Sequence, residues 1–423
     1  MKGRNLIGLT ILPATALSSF FIVSNMTGFL LEKTEDAGYI SLALAGLLYP
    51  LGMLFIANLN ERAKLAVITI TASMAVVSSY FVMLGVPNFR IPAFEVDLTT
   101  LTMYFLSMAS SMALAVISIS DLLSKARGLE ERVTVFSVTF LAAGGITAIG
   151  ISFGSFGWLI PIMFSDYLVP GGLLVHVILR YSIKLDYPDI ETIHEPARIK
   201  EYWIKERNKA FKLTVYTIIS SLQIALLLGV NGLALDPEVY YGDTWLLWLF
   251  IGAGCLITGM LVVPRLFKNH EEEFSKEKII KSNISWLMIS ILQSSFFFVL
   301  VTLNLNIPTY HGSIVAFIVD GAVLGFMLMV FWHIIMVQHP PKSMRLFLML
   351  MSFFLCISFI AGTYLKSLSS VSLSDFEEIM NYAIYLYLAF VVALAILVIA
   401  FLVTIKKHGK NGASRTVTSK VSM

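Results

Sequence analysis

Twelve long apolar runs constrain this sequence most strongly, because each can cross a lipid bilayer as a helix. A helix needs about 20 mainly apolar residues to cross a hydrocarbon core of about 30 Å. The runs are apolar on all sides, which favours helices over barrel strands, since strands are short and alternate in polarity. The predicted fold is therefore all-α, polytopic and membrane-embedded. The runs fall at approximately 6–31, 37–59, 64–86, 98–120, 133–155, 158–182, 212–235, 244–263, 284–305, 313–336, 346–365 and 382–405.

Composition supports a chain surrounded mainly by lipid. Hydrophobic residues make up 57% of the chain and charged residues 13%, whereas soluble proteins carry about 45–50% and about 25%. A soluble enzyme, a nucleic-acid binder and a disordered protein are excluded on this ground. Cys255 and Cys356 both fall in apolar runs, so no disulfide framework is expected. The first run is too long for a signal peptide and is expected to be retained.

The distribution of basic residues predicts the orientation of the spans. If the N-terminus is cytoplasmic, 27 of the 30 Lys and Arg residues fall at cytoplasmic ends, and only Lys33, Arg90 and Lys366 fall outside. Cytoplasmic loops carry such an excess of positive charge. The sequence therefore predicts twelve spans with both termini inside, in a multi-pass protein of the cell membrane.

The longest polar loop divides the chain into two six-helix halves. Its apolar and basic residues have the spacing of an amphipathic helix, which suits either a helix lying in the membrane interface or a solvated linker. The predicted organisation is an N-terminal half, a cytoplasmic linker, a C-terminal half and a basic cytoplasmic tail, at 1–183, 184–211, 212–405 and 406–423.

The loop between the second and third runs carries a recognisable pattern. It reads Ala-Asn-Leu-Asn-Glu-Arg-Ala-Lys over 57–64, against a family pattern of approximately Gly-x-Leu-Ser-Asp-Arg-x-Gly-Arg-Arg. Arg62 and Lys64 keep the basic end of this pattern, and Asn58, Arg62 and Lys64 are the candidate gate residues of the loop. With its twelve spans, inside termini and two halves, the chain resembles the major facilitator superfamily. The resemblance implies a gate in this loop, a cavity lined by helices one, four, seven and ten, and alternating access between the halves.

Ionisable residues within the apolar runs are the main candidates for a functional site. Such groups are costly in a bilayer and usually mark a pathway. Asp166 and Asp320 both lie about 10–12 Å from the outer ends of their spans at 1.5 Å per residue. Because a carboxyl group that has lost its water takes up a proton more readily, the pair predicts a cation or proton site. The alternative is that neighbouring backbone or hydroxyl groups satisfy each Asp structurally.

Other polar residues in the runs are candidates for the same pathway. On the sixth span, His176 and Arg180 fall within about 80° of Asp166 at 100° per residue, so this stripe should face protein. This stripe suits either a packed polar network or a proton relay. His333 suits either a place in the transport pathway or a position at the membrane interface. Five neutral residues could line a cavity or tie helices together: Asn25, Tyr104, Gln223, Asn231 and Gln293.

Glycine and proline mark expected packing positions and breaks. The fifth span is rich in glycine and includes a Gly150-x-x-x-Gly154 pair, which predicts close approach of a neighbouring helix. The sequence Pro170-Gly171-Gly172 predicts a break in the sixth span.

The functional hypothesis is a secondary transporter, not an enzyme. The sequence has no phosphate-binding loop, nucleophile elbow or metal-spaced Cys/His set, so no cofactor or metal is expected. We expect a monomer in lipid that moves a small organic solute by alternating access, driven by protons, with cationic or neutral amphipathic cargo and no nucleic-acid partner. The alternative is a transporter-like membrane receptor or scaffold.

Overall fold

The computed structural model describes six helical segments and some isolated positions. The isolated positions lie at 41, 44, 48, 63, 66, 67, 70, 102, 105, 106, 118, 119, 220, 223, 224, 227, 307, 309 and 310. The continuous stretches are 10–22, 110–115, 129–156, 159–182, 244–264, 291–300, 302–304 and 313–338.

Six described helices correspond to predicted apolar runs. Helix α1 spans Thr10–Ile22. Helix α2 spans Leu129–Ser152 and helix α3 spans Leu159–Ser182, and a 3₁₀ turn over Phe153–Phe156 lies between them. The fifth and sixth predicted runs are thus two separate helices. The remaining helices are α4 at Thr244–Ile257, which a π-helical turn extends over Thr258–Val262, α5 at Ile291–Asn304, and α6 at Ile314–Gln338.

Three of these helices are long and apolar enough to cross a membrane. The qualifying stretches are Val133–Ser152 in α2, Trp245–Val262 in α4 with its π-helical turn, and Ile314–Phe331 in α6. Their mean hydropathies are 1.8, 2.1 and 2.5. Throughout the described stretches the regular secondary structure is helical, so the all-α prediction is confirmed for this part of the chain.

The described helices have apolar outer faces and a mainly apolar interior that also holds polar side chains. Large apolar side chains are exposed on several helices, including Leu174, Ile178, Ile257, Leu261, Val299 and Val315. Polar side chains are buried within the apolar interior, including Ser18, Ser137, Thr139, Thr147, Ser165, Gln223, Gln293 and Asp320. This combination suits a lipid environment, where polar side chains must find partners inside the protein.

Helix α4 lies between α2 and α6 because it carries glycine on two opposite faces. Gly252 and Gly254 are two residues apart, so they point about 200° apart around a helix. A Cβ atom on Gly252 would lie 3.0 Å from the Cα of Leu141 on α2, and one on Gly254 would lie 2.5 Å from the carbonyl oxygen of Ala322 on α6. The absent side chains let three backbones pack closely in one layer.

The same glycine contacts give the directions of the three helices. Gly144 packs on Gly252 and Ser137 on Gly259, so α2 and α4 are antiparallel. Gly321 packs on the Leu247 carbonyl and Met329 on Gly259, so α4 and α6 are parallel.

Helix α1 packs against the N-terminal helices and reaches α4. The Ser18 hydroxyl donates to the carbonyl oxygen of Ala143 on α2 at 3.0 Å. Gly172 on α3 packs directly on the side chain of Thr15. Phe21 lies against Trp248 of α4, with ring centroids 4.7 Å apart. Helix α1 therefore contacts helices from both predicted halves.

The predicted break at Pro170 is wrong. Helix α3 continues through Pro170 from Leu159 to Ser182. A proline inside a membrane helix is tolerated when neighbouring helices and local adjustments satisfy the freed backbone group. Gly172, two residues further on, provides close packing against Thr15 rather than a break.

Candidate functional site

The clearest polar site surrounds Asp320, six residues after the start of α6. At 1.5 Å per residue this is about 9 Å along the helix. The side chain is fully buried. The Asn304 amide donates to Asp320 Oδ2 at 2.6 Å, and the Tyr310 hydroxyl donates to Asp320 Oδ1 at 2.9 Å. Each carboxylate oxygen therefore accepts a hydrogen bond from a neutral group.

Asn304 is held in place by its own helix. It is buried at the C-terminal end of α5, and its amide also donates to the carbonyl oxygen of Leu300 at 3.0 Å. A side-chain amide has two N–H groups, so one anchors Asn304 to α5 while the other binds Asp320. The Asn304 donor is therefore part of a rigid helix end.

Tyr310 belongs to the turn that joins α5 to α6. The Tyr310 amide donates to the Ile307 carbonyl at 2.9 Å, and the Ile307 amide donates to the Leu303 carbonyl at 3.1 Å. Burial raises the pKa of the Tyr310 hydroxyl, and the charge of Asp320 and the hydrogen bond to it raise that pKa further. Tyr310 therefore remains a hydrogen-bond donor throughout the physiological pH range.

Ser313 connects Tyr310 to the first turn of α6. Its hydroxyl donates to the Tyr310 carbonyl at 2.6 Å and accepts a hydrogen bond from the Ala316 amide at 3.1 Å. Serine at this position caps a helix by satisfying an amide that has no partner within the helix. The Tyr310 backbone and the N-terminus of α6 are thus joined through one side chain.

Sequence reasoning identified Asp320 but missed Asn304 and Tyr310. Asn304 lies at the end of the predicted run 284–305, and Tyr310 lies between that run and the next. The signal that could have found them is the nine-residue connection between α5 and α6. Short connections join antiparallel neighbours, so polar residues at similar depth on the two helices are expected to meet.

A second polar cluster includes the predicted residue Gln223. Its amide donates to the Ser294 hydroxyl at 3.0 Å, and the Gln293 amide donates to the Gln223 carbonyl oxygen at 3.5 Å. All three side chains are buried. Because both partners lie on α5, the cluster joins the region around 220–227 to that helix. Of the two roles predicted for Gln223, lining a cavity or tying helices together, this geometry suits the second.

The remaining predicted residues are described only in part. His176 is half-buried on α3, on the same side of the helix as buried Val169 and Gly172. Asp166 and Arg180 lie on α3 and His333 on α6, but their side chains are outside the described residues. The pairing of Asp166 with Asp320 therefore stays a prediction. Six predicted residues are outside the described residues altogether: Asn25, Asn58, Arg62, Lys64, Tyr104 and Asn231.

The packing between α2 and α4 buries polar atoms without partners. Among the described residues of these two helices, Ser137 Oγ, Thr147 Oγ1 and Trp248 Nε1 are buried and have no hydrogen-bond partner. Leaving a buried donor or acceptor without a hydrogen bond costs about 1–3 kcal/mol. This contact is therefore less stable than its close glycine packing would otherwise make it.

Replacing Thr147 by valine is expected to stabilise the protein. Valine has a similar shape and removes the unpaired hydroxyl, so the free energy of unfolding should rise by about 1 kcal/mol. Thr139 is the matched control, since it is also buried on α2 but donates to the Val135 carbonyl at 2.7 Å. Thr139→Val should lower the thermal midpoint of the detergent-solubilised protein, whereas Thr147→Val should raise it. Shifts of the same sign would contradict this interpretation.

The fold and the site together define a class of protein. The described part of the chain is helical, has three helices long and apolar enough to span a membrane, and holds a buried carboxylate on one of them, α6, where the end of α5 meets it. Comparison with models of known protein families and with curated proteins finds no match for the chain.

Proposed function

We propose that the chain is a secondary active transporter of the major facilitator type, which moves a small organic solute by alternating access and uses Asp320 to bind the coupling proton. The observation that carries the proposal is the complete burial of Asp320 on an apolar helix of membrane-spanning length. An ionisable group in such a helix is rare and usually belongs to an ion or substrate pathway.

The chemistry around Asp320 supports proton binding. Asn304 and Tyr310 bind it through an amide and a phenol, neutral groups that leave the carboxylate able to accept a proton. An arginine or lysine in the same positions would favour the charged form much more strongly. The site therefore suits a carboxyl group that alternates between two protonation states.

Helix packing supports the two-half arrangement. Helices α2, α4 and α6 correspond to the fifth, eighth and tenth predicted spans. Spans five and eight should run in opposite directions, and spans eight and ten in the same direction. The antiparallel and parallel contacts of α4 agree with that order. The unpaired polar atoms between α2 and α4 also suit a contact between the halves that opens to water or solute during transport.

The proposal predicts that Asp320→Asn abolishes proton-coupled transport. The full chain would be reconstituted into sealed vesicles containing the pH indicator pyranine, and proton entry measured on addition of small cationic and neutral amphipathic solutes. With a solute that drives proton entry through the wild type, Asp320→Asn should reduce the flux to that of protein-free vesicles. The amide keeps the size of the side chain but cannot carry the proton.

Glu131→Gln provides the matched control for this experiment. It makes the same acid-to-amide change at the start of α2, before the apolar stretch Val133–Ser152, and should leave the flux unchanged. Transport by Asp320→Asn with unchanged pH dependence would refute the role of Asp320. If no solute crosses with or without a pH gradient, the receptor or scaffold function is favoured instead.

A further inference from the structure

Protonation of Asp320 would weaken two hydrogen bonds at once. Hydrogen bonds to a charged acceptor are roughly twice as strong as neutral ones. The bonds from Asn304 and Tyr310 both end on this carboxylate. A proton removes the charge, so both contacts lose the extra strength of a charge-assisted bond. The contact that is held less firmly by its surroundings is then the one expected to yield.

The Tyr310 contact is the one expected to yield. Asn304 is fixed to α5 by its second hydrogen bond, to Leu300, and is buried. Tyr310 is only half-buried, and the described neighbours Ile307 and Thr309 in the same turn are exposed. The hydroxyl of Tyr310 can therefore exchange Asp320 for water with less rearrangement than the Asn304 amide can.

Release of Tyr310 would reach α6 through Ser313. The Ser313 amide and hydroxyl both donate to the Tyr310 carbonyl, at 3.0 Å and 2.6 Å. The same hydroxyl accepts the hydrogen bond that caps α6 at Ala316. Movement of Tyr310 therefore changes the hydrogen bonds in the first helical turn of α6 as well as those in the connection between α5 and α6.

We infer that Tyr310 is the positioning residue that couples proton binding to movement: protonation of Asp320 releases the Tyr310 hydroxyl and frees the turn between α5 and α6. This inference rests on the proposed function and gives its proton site a mechanical consequence. In the deprotonated protein, Tyr310 ties the turn to α6. In the protonated protein, the turn and the cap of α6 are free to move.

Few other described groups near Asp320 can titrate. The described residues of α5 carry no ionisable side chain, and those of α4 contribute the buried Cys255 thiol, which donates to the Gly325 carbonyl at 3.2 Å. On α6, His333 is 13 residues from Asp320, about 20 Å along the helix. His311 follows Tyr310 in the sequence and is outside the described residues. The experiment therefore replaces His311, so that its protonation does not contribute to the response.

The test uses a nitroxide spin label on the full chain in lipid vesicles. Thr309 is exposed in the turn, so Thr309→Cys provides the label site, in a background carrying His311→Gln and Cys356→Ser. The buried Cys255 stays unlabelled. Between about pH 8 and about pH 5, the ratio of mobile to immobile label should rise about fivefold, the change that corresponds to losing a hydrogen bond worth about 1 kcal/mol.

Tyr310→Phe should give the mobile spectrum at both pH values, because the ring remains but the hydroxyl is gone. Tyr167→Phe is the matched control, since Tyr167 is exposed on α3, and it should keep the acid response. Hydrogen exchange of the Tyr310, Ser313 and Ala316 amides provides a second readout without a label. Faster exchange is expected in acid and in Tyr310→Phe.

The inference is overturned if label mobility and hydrogen exchange do not depend on pH, or if Tyr310→Phe keeps the wild-type acid response. Neither result would alter the loss of flux expected for Asp320→Asn. Conversely, full proton-coupled flux in Asp320→Asn would remove the proposed function itself. The two proposals therefore fail through different measurements.

Discussion

Replacing Gly325 by alanine is expected to prevent correct packing of α6 on α4. A Cβ atom on Gly325 would overlap the carbonyl oxygen of Ile251 and lie 2.7 Å from the amide nitrogen of Cys255. Both are backbone atoms of a packed helix, so neither can turn aside as a flexible side chain would. Overpacking costs about 1–3 kcal/mol where side chains can adjust, and about 3 kcal/mol or more is expected here.

Gly145→Ala separates this steric effect from the intrinsic preference of a helix for alanine. A Cβ atom on Gly145 of α2 would meet nothing within 4 Å. Alanine is favoured over glycine in a helix by about 1 kcal/mol, so Gly145→Ala should be neutral or stabilising. Thermal midpoints and the yield of monodisperse protein in detergent provide the measurements. Equal behaviour of the two variants would show that α4 and α6 do not pack at Gly325.

Removing the amide of Asn304 is expected to have the second largest effect on stability. Asn304→Leu leaves Asp320 Oδ2 buried without the donor that lies 2.6 Å away. Hydrogen bonds to charged groups contribute about 1.5–3 kcal/mol, and a buried charged group that loses its partner costs more. The free energy of unfolding should therefore fall by about 2–4 kcal/mol.

A double-mutant cycle distinguishes the lost bond from the change in packing. Replacing both partners, as in Asn304→Leu with Asp320→Leu, removes the buried carboxylate together with its donor, and such paired replacements can be nearly neutral. The double variant should therefore be more stable than Asn304→Leu alone. Additive losses in the two single variants would mean that Asn304 and Asp320 do not interact.

The described helices were largely predictable, and their differences from the prediction have a simple cause. The run predicted at 313–336 is observed as Ile314–Gln338, and that at 133–155 begins four residues earlier, at Leu129. A hydropathy scan stops at charges such as Glu131 and Arg132, whereas backbone hydrogen bonds continue past them. Length and polarity therefore predict the apolar part of a helix better than its ends.

The candidate site was predictable only for its charged member. Asp320 is conspicuous because charge is scarce in the apolar runs. Asn304 and Tyr310 are ordinary residues at the end of a span and in a loop, and their role depends on how two helices face each other. Similarly, glycine content predicted close packing for α2, but the sequence alone does not show that Gly144 contacts Gly252 while Gly145 faces open space.

In the proposed membrane protein, the contact between Asn304 and Asp320 has a consequence for insertion during synthesis. An aspartate adds about 2.5–3.5 kcal/mol to the free energy of insertion at the centre of a helix, and Asp320, six residues after the start of α6, opposes insertion in the same way. Helix α5 is synthesised first, so the Asn304 amide is already present when α6 follows after nine residues. Insertion of α5 and α6 together as a hairpin is therefore favoured over insertion of α6 alone.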